Sequence, residues 1–157
     1  VPTDVMHGYA ALAEELLNQI PTRARPTHIF AQAGVGGFAA ALFTHLCARL
    51  ADPAPVTVCV EPLEAACLLA SARKGARTAV IGPLDTIMAG LACGEPSTIA
   101  WSLLSRQGCD FLAISDEAAA ATMRILAVPA LCGRSIIGGE SGAAGVAGLL
   151  CALAHED

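Results

Sequence analysis

The sequence predicts an α/β fold, a parallel sheet with helices on both faces, and three observations carry that prediction. Short apolar β-type runs at residues 27–33 and 56–60 are each followed by a stretch of helical period. Strand, helix, strand, helix at this spacing makes crossover units of a parallel sheet. The first run then ends in Gly34, Val35, Gly36 and Gly37 before the small residues Ala39, Ala40 and Ala41. Such a turn lets the backbone bend sharply, brings bare N–H groups near a ligand and adds the positive end of a helix, so it favours a phosphate group.

Taken in order, residues 2–20 place Tyr9, Leu12, Ala13, Leu16, Leu17 and Ile20 on one helical face, with Thr3 or Asp4 as N-cap. A strand at 27–33 leads through the glycine turn into a helix at 37–51. A strand at 56–60, ended by Glu61-Pro62, leads into a helix at 63–71. Residues 78–81 read either as a strand or as an extended link, and 86–94 as a small, apolar connection. A helix at 97–107, a strand at 110–114 and a helix at 116–127 begun at Ser115 or Asp116 follow. Ser135, Ile136 and Ile137 are a last strand candidate, before a helix of Ala, Gly, Val and Leu that ends near Ala154. No internal repeat or linker divides the chain.

Composition narrows the function classes. A chain of 157 residues suits one compact domain, which buries about two thirds of the surface exposed when unfolded. With 55% hydrophobic and only 15% charged residues, much of it must be buried in a core or against a partner, so a homo-oligomer is expected. Residues 26–48 contain no Asp, Glu, Lys or Arg, yet the glycine turn, Gln32, His28 and His45 interrupt them, which argues against a membrane span. Net charge is −5 and the nine basic residues are scattered, which is no footprint for nucleic acid. Seven cysteines without a C-x-x-C pair indicate a reducing cytoplasm and no zinc site.

Several motifs compete for the chemistry. Gly34-x-Gly36-x-x-Ala39 after a strand matches a dinucleotide fingerprint, with Glu61 where an acid would hold a ribose hydroxyl. The same glycines also suit a plain packing turn. Ser71-x-x-Lys74 formally fits a nucleophile motif, but an exposed helix end capped by Gly75 is the better reading. His7, His28, His45 and His155 have no ligand spacing, and Asp85 and Glu95 read as solvated charges more readily than as a carboxylate pair. A second glycine-rich helix start runs from Gly138 through Glu140 and Ser141 to Gly145. Two such turns could face one ligand from the carboxyl ends of different strands, one holding a phosphate and the other a ring. Close packing of a small-residue helix on the sheet explains the glycines equally well.

Five segments in this order resemble the diaminopropionate ammonia-lyases, pyridoxal-phosphate enzymes of fold type II related to threonine deaminase and cysteine synthase. They are Gln32 to Gly37, Val60-Glu61-Pro62, Thr86 to Ser97, Met123 to Leu126, and Gly139-Glu140-Ser141-Gly142-Ala143. The match covers nearly the whole chain, and 86–97 is its most specific stretch. The resemblance implies that Gly34, Val35, Gly36 and Gly37 cradle the phosphate of pyridoxal 5′-phosphate. It also implies that Ser141 hydrogen-bonds the pyridine nitrogen and leaves it largely unprotonated. The implied reaction is α,β-elimination of the small amino acid 2,3-diaminopropionate to pyruvate and ammonia, in the cytoplasm.

The family's Schiff-base lysine and its proton-transferring acid belong upstream of these segments, and the one lysine here, Lys74, is out of order for that role. No catalytic residue is therefore expected within residues 1–157. They are read as a single α/β domain, the C-terminal part of a large domain from a longer enzyme, inactive alone. The alternatives are an NAD(P)-binding Rossmann-type domain of an oxidoreductase and a non-catalytic, self-associating α/β module.

Overall fold

The computed structural model describes residues 2–21, 24–50 and 53–154. Helix α1 (Pro2–Gln19) precedes strand β1 (His28–Gln32) and helix α2 (Gly37–Arg49). Strand β2 (Val56–Pro62) leads through a 3-10 turn (Leu63–Ala65) into α3 (Cys67–Lys74). A second 3-10 turn (Ala89–Leu91) precedes α4 (Thr98–Gln107), β3 (Asp110–Ile114), α5 (Asp116–Ala127), the short α6 (Pro129–Cys132) and α7 (Glu140–Ala154).

The described sheet has three parallel strands in the order β1-β2-β3, with Phe30 opposite Val58 and Val60 opposite Leu112. Side chains alternate along each strand, which gives the sheet two apolar faces. Ala31, Cys59 and Phe111 point to one face, where Phe43 and Leu46 of α2, Leu68 of α3 and Leu104 of α4 cover them. Phe30, Val60, Leu112 and Ile114 point to the other, beneath Ala119 of α5 and Ala144 and Ala147 of α7. Helix α1 sits outside α2, with Ala13 buried and Tyr9 edge-on to Phe38 at 5.0 Å between ring centres. The expected parallel sheet with helices on both faces is present. Among the described residues no helix is long and apolar enough to cross a membrane.

Three readings of the sequence need correction, and one that was open is decided. Helix α1 begins at Pro2, which suits the first helical position, so Thr3 and Asp4 lie inside its first turn and do not cap it. The helix expected over 63–71 is split at Ala66 and starts at Cys67, because the Glu61 carboxylate accepts the Leu68 and Leu69 amides at 2.7 and 2.8 Å and so caps α3 from the end of β2. Residues 78–81 form an extended link, tied by the Val80 amide to the Gly94 carbonyl at 2.7 Å. Residues 135–137 add no strand. The Ile136 amide and the Ser135 hydroxyl are spent on the carbonyls of Leu126 and Ala127 at the end of α5, and Ile137 is 84% exposed.

Candidate functional site

Loops at the carboxyl ends of the strands converge on a cleft of about 440 Å³ lined by Gln32, Ala33, Gly34, Val35, Gly36, Gly37, Gly90, Leu91 and Cys93, with Val5, Tyr9 and Phe38 at its side. Gly36 is the N-cap of α2 at φ 90°, a left-handed conformation that a side chain resists. Any Cβ there would also lie 3.2 Å from both Ala100 Cβ and Leu68 Cδ1. Gly34 is equally enclosed, against Cys93 Sγ and the backbone of Leu91, whereas Gly37 faces open space with nothing within 4 Å.

The turn's carbonyls are already used. Gly36 accepts the Ala40 amide at 2.9 Å, Val35 the Ser97 amide at 2.9 Å and Gly34 the Cys67 thiol at 3.6 Å. Of its amides, those of Gly36 and Gly37 stand at the start of α2, where the first N–H groups of a helix have no intrahelical acceptor. A glycine-lined cleft at the positive end of α2 is built for an anion. Burial pushes the Cys67 thiol up to about 12, so this sulfur beneath the turn is an inert packing group.

The second glycine-rich helix start touches the cleft's lining at Gly90. Ser141, in the first turn of α7, accepts the Gly90 amide at 3.0 Å through its hydroxyl oxygen. Gly90 in turn lies where a Cβ on Gly34 would come within 3.4 Å of its carbonyl. A hydroxyl has one proton to donate as well as lone pairs. With the Gly90 N–H on a lone pair, the Ser141 hydroxyl still carries one proton that it can donate.

Other candidates fall away. Glu61 is fully buried and spent on the α3 amides, so it holds nothing in the cleft. Ser71 is buried, donating to the Cys67 carbonyl at 2.7 Å and accepting the Thr78 amide at 2.8 Å, while Lys74 is exposed at the end of α3 before Gly75. Glu95 pairs with Arg77 at 2.5 Å and Asp85 is exposed, so they form no carboxylate pair. His45 Nε2 meets Glu14 Oε1 at 2.6 Å, His28 meets the Thr27 hydroxyl, His7 is exposed, and His155 lies outside the described residues. Among the described residues no group of His, Cys, Asp and Glu could hold a metal ion.

Sequence reasoning assigned no place to Gly90. The available signal was a glycine between the buried apolar residues Met88 and Leu91, where close approach of another backbone or side chain is a usual reason for one.

Comparison with known proteins finds relatives over nearly the whole chain. The family model for pyridoxal-phosphate dependent enzymes matches residues 2–157. The diaminopropionate ammonia-lyase of Escherichia coli K12 is 40% identical over 157 residues, covering 99% of this chain and 39% of that protein. The holo crystal structure of the Escherichia coli enzyme superposes with TM-score 0.86 at 38% identity, over 99% of this chain and 39% of that one. The same enzyme in complex with an aminoacrylate-PLP azomethine reaction intermediate gives TM-score 0.83 at 39% identity, over 97% and 38%. A bacterial threonine deaminase, 24% identical with TM-score 0.85 over 96% of this chain and 53% of that one, shares the fold. The chain thus spans about two fifths of the length of the ammonia-lyases it matches.

Proposed function

The chain belongs to the family of pyridoxal-phosphate dependent enzymes, and on that premise we propose that it forms the cofactor-holding part of a diaminopropionate ammonia-lyase. One observation carries the reading: Gly34, Val35, Gly36 and Gly37 line one cleft together with Gly90, and the Ser141 hydroxyl is seated on the Gly90 amide. A phosphate and a ring acceptor held by one molecule need such loop amides and such a hydroxyl as donors. When bound, pyridoxal 5′-phosphate would supply the electron sink for α,β-elimination of 2,3-diaminopropionate to pyruvate and ammonia.

The chain's own residues would hold and tune that group. The four loop amides and the start of α2 take the phosphate, with open space beside Gly37 admitting its oxygens. Ser141, its oxygen already loaded by the Gly90 N–H, would donate a hydrogen bond to the ring nitrogen and so leave that nitrogen neutral. The amine that anchors the cofactor and the acid that moves the substrate proton are assigned to other parts of the enzyme. Lys74, exposed at the end of α3, is not placed among the cleft residues. Residues 1–157 are on this reading one α/β domain of a longer, homo-oligomeric enzyme. Free thiols at Cys47, Cys59, Cys67, Cys93, Cys109 and Cys151 support a cytoplasmic setting.

Titration with inorganic phosphate and pyridoxal 5′-phosphate, followed by amide NMR, tests the reading. Shifts are expected first at residues 34–37, with pyridoxal 5′-phosphate adding shifts at Ser141. Gly36→Val should abolish both, since it fills the contact with Ala100 and Leu68 and resists the positive φ. The chain by itself should release no pyruvate from diaminopropionate. Shifts confined to residues 138–142, or tighter binding of NAD than of pyridoxal 5′-phosphate, would overturn the assignment. The dinucleotide alternative is disfavoured by Glu61, whose carboxylate is buried against α3.

A further inference from the structure

The Gly90 amide that loads Ser141 belongs to a short segment whose position is set from elsewhere. Asp116, the first residue of α5 and next but one after β3, reaches back to this segment with both carboxylate oxygens. Oδ1 accepts the Thr86 hydroxyl at 2.5 Å, and Oδ2 accepts the Ile87 amide at 3.0 Å. The Thr86 oxygen then accepts the Met88 amide at 3.1 Å. Met88 is fully buried against the α5 and α7 side of the sheet. Directly after it, the 3-10 turn brings the Gly90 amide to 3.0 Å from Ser141 Oγ.

We propose that Asp116 is a positioning residue: acting with Thr86, it fixes the turn whose Gly90 amide loads Ser141, and so directs the hydrogen bond that Ser141 would donate to the ring nitrogen. This rests on the proposed binding of pyridoxal 5′-phosphate with its ring at Ser141. Two features make Asp116 the control point. A carboxylate that accepts a hydroxyl and an amide together forms stronger bonds than neutral acceptors do. Neither Asp116 nor Thr86 lines the cleft, so the pair orders Gly90 without obstructing the ligand. Ser115, the cap of α5, accepts the Ala118 amide and keeps the helix start in place independently of Asp116.

The proposal separates placement of the ring from capture of the phosphate. In the apo protein, hydrogen exchange at the Gly90 amide is expected to quicken about tenfold in Asp116→Ala, the scale of one lost charge-assisted bond. The isosteric Asp116→Asn should give an intermediate change. Thr86→Ser, which keeps the hydroxyl, should restore the wild-type value where Thr86→Val does not. In the protein loaded with pyridoxal 5′-phosphate, Asp116→Ala should shift the ring absorbance band while the affinity for inorganic phosphate at residues 34–37 stays unchanged.

Unaltered Gly90 exchange together with an unaltered band in all Asp116 and Thr86 variants would overturn the proposal. Should Asp116→Ala not fold, Asp116→Asn and the Thr86 pair decide the matter by the same two readouts. If the wild type binds no pyridoxal 5′-phosphate while Gly90 exchange still responds to Asp116, the cofactor reading fails and the positioning of the turn stands.

Discussion

At the scale of single residues, burial and charge conflict most sharply at Glu61. Its side chain is fully buried at the end of β2, and burial raises its carboxyl from 4.5 to about 7, against the opposing pull of the Leu68 and Leu69 amides. The folded state therefore holds a proton that the unfolded state has released between these two values, so stability falls as pH rises from about 4.5 through about 7. The full effect is on the order of 3 kcal/mol, since each tenfold difference in proton affinity between the two states is worth about 1.36 kcal/mol. Urea unfolding at pH 5 and pH 8 should show this loss in wild type and not in Glu61→Gln, other groups contributing equally to both. An identical pH response in the two proteins would refute it. Gly36 was legible in the sequence because a strand-to-helix glycine turn demands the backbone freedom only glycine has. Glu61 could be offered as a ribose acid in the dinucleotide alternative because the amides it caps lie seven and eight residues on, beyond the reach of any local capping pattern. Asp116 and Thr86 were invisible as a pair, since thirty residues separate them and only the fold joins them.

At the scale of elements, the small residues of α7 explain how that helix lies so low on the sheet. Gly148 faces Val60 so closely that a Cβ would fall 2.5 Å from Val60 Cγ2, and at Gly145 it would fall 3.0 Å from the Phe30 carbonyl oxygen. The close-packing reading of this glycine-rich run is therefore correct for its later turns, while in its first turn Ser141 accepts the Gly90 amide. Intrinsic propensity would make Gly148→Ala stabilising by about 1 kcal/mol. The methyl has no room, and overpacking costs about 1–3 kcal/mol, so the variant should be less stable than wild type in urea unfolding. Lifting α7 from β2 would also move Ser141, so Gly90 exchange should quicken in the same variant; a more stable Gly148→Ala with unchanged exchange would refute this account. Strands β1, β2 and β3 and helices α4 and α5 were legible because period and caps coincide, Ser97 and Ser115 each accepting the amide three residues on. The false strand at 135–137 had the right residue types, yet strand identity is settled by a neighbour to pair with, and α5 takes those groups first.

At the scale of the whole molecule, the apolar composition is not fully absorbed by the two cores. Ile81 is 97% exposed, Ile137 84% and Leu63 57%. A groove of about 430 Å³, with Leu63, Leu69, Phe111 and Leu112 among its lining residues, follows the outer side of β3 beneath α3. Within the described sheet β3 is an edge strand, and an uncovered edge beside apolar side chains favours pairing with another chain. Only 15% of residues are charged, so little opposes contact at neutral pH. The purified chain is therefore expected to form a dimer or larger assembly in light scattering. Leu63→Lys, at the mouth of the β3 groove, should shift the population toward the monomer by adding a charge where a partner would pack. The alternative is that α3 and the link at 78–81 shield the groove well enough on their own. A 15.9 kDa species at every concentration tested, unaltered by Leu63→Lys, would show that the groove is closed in solution.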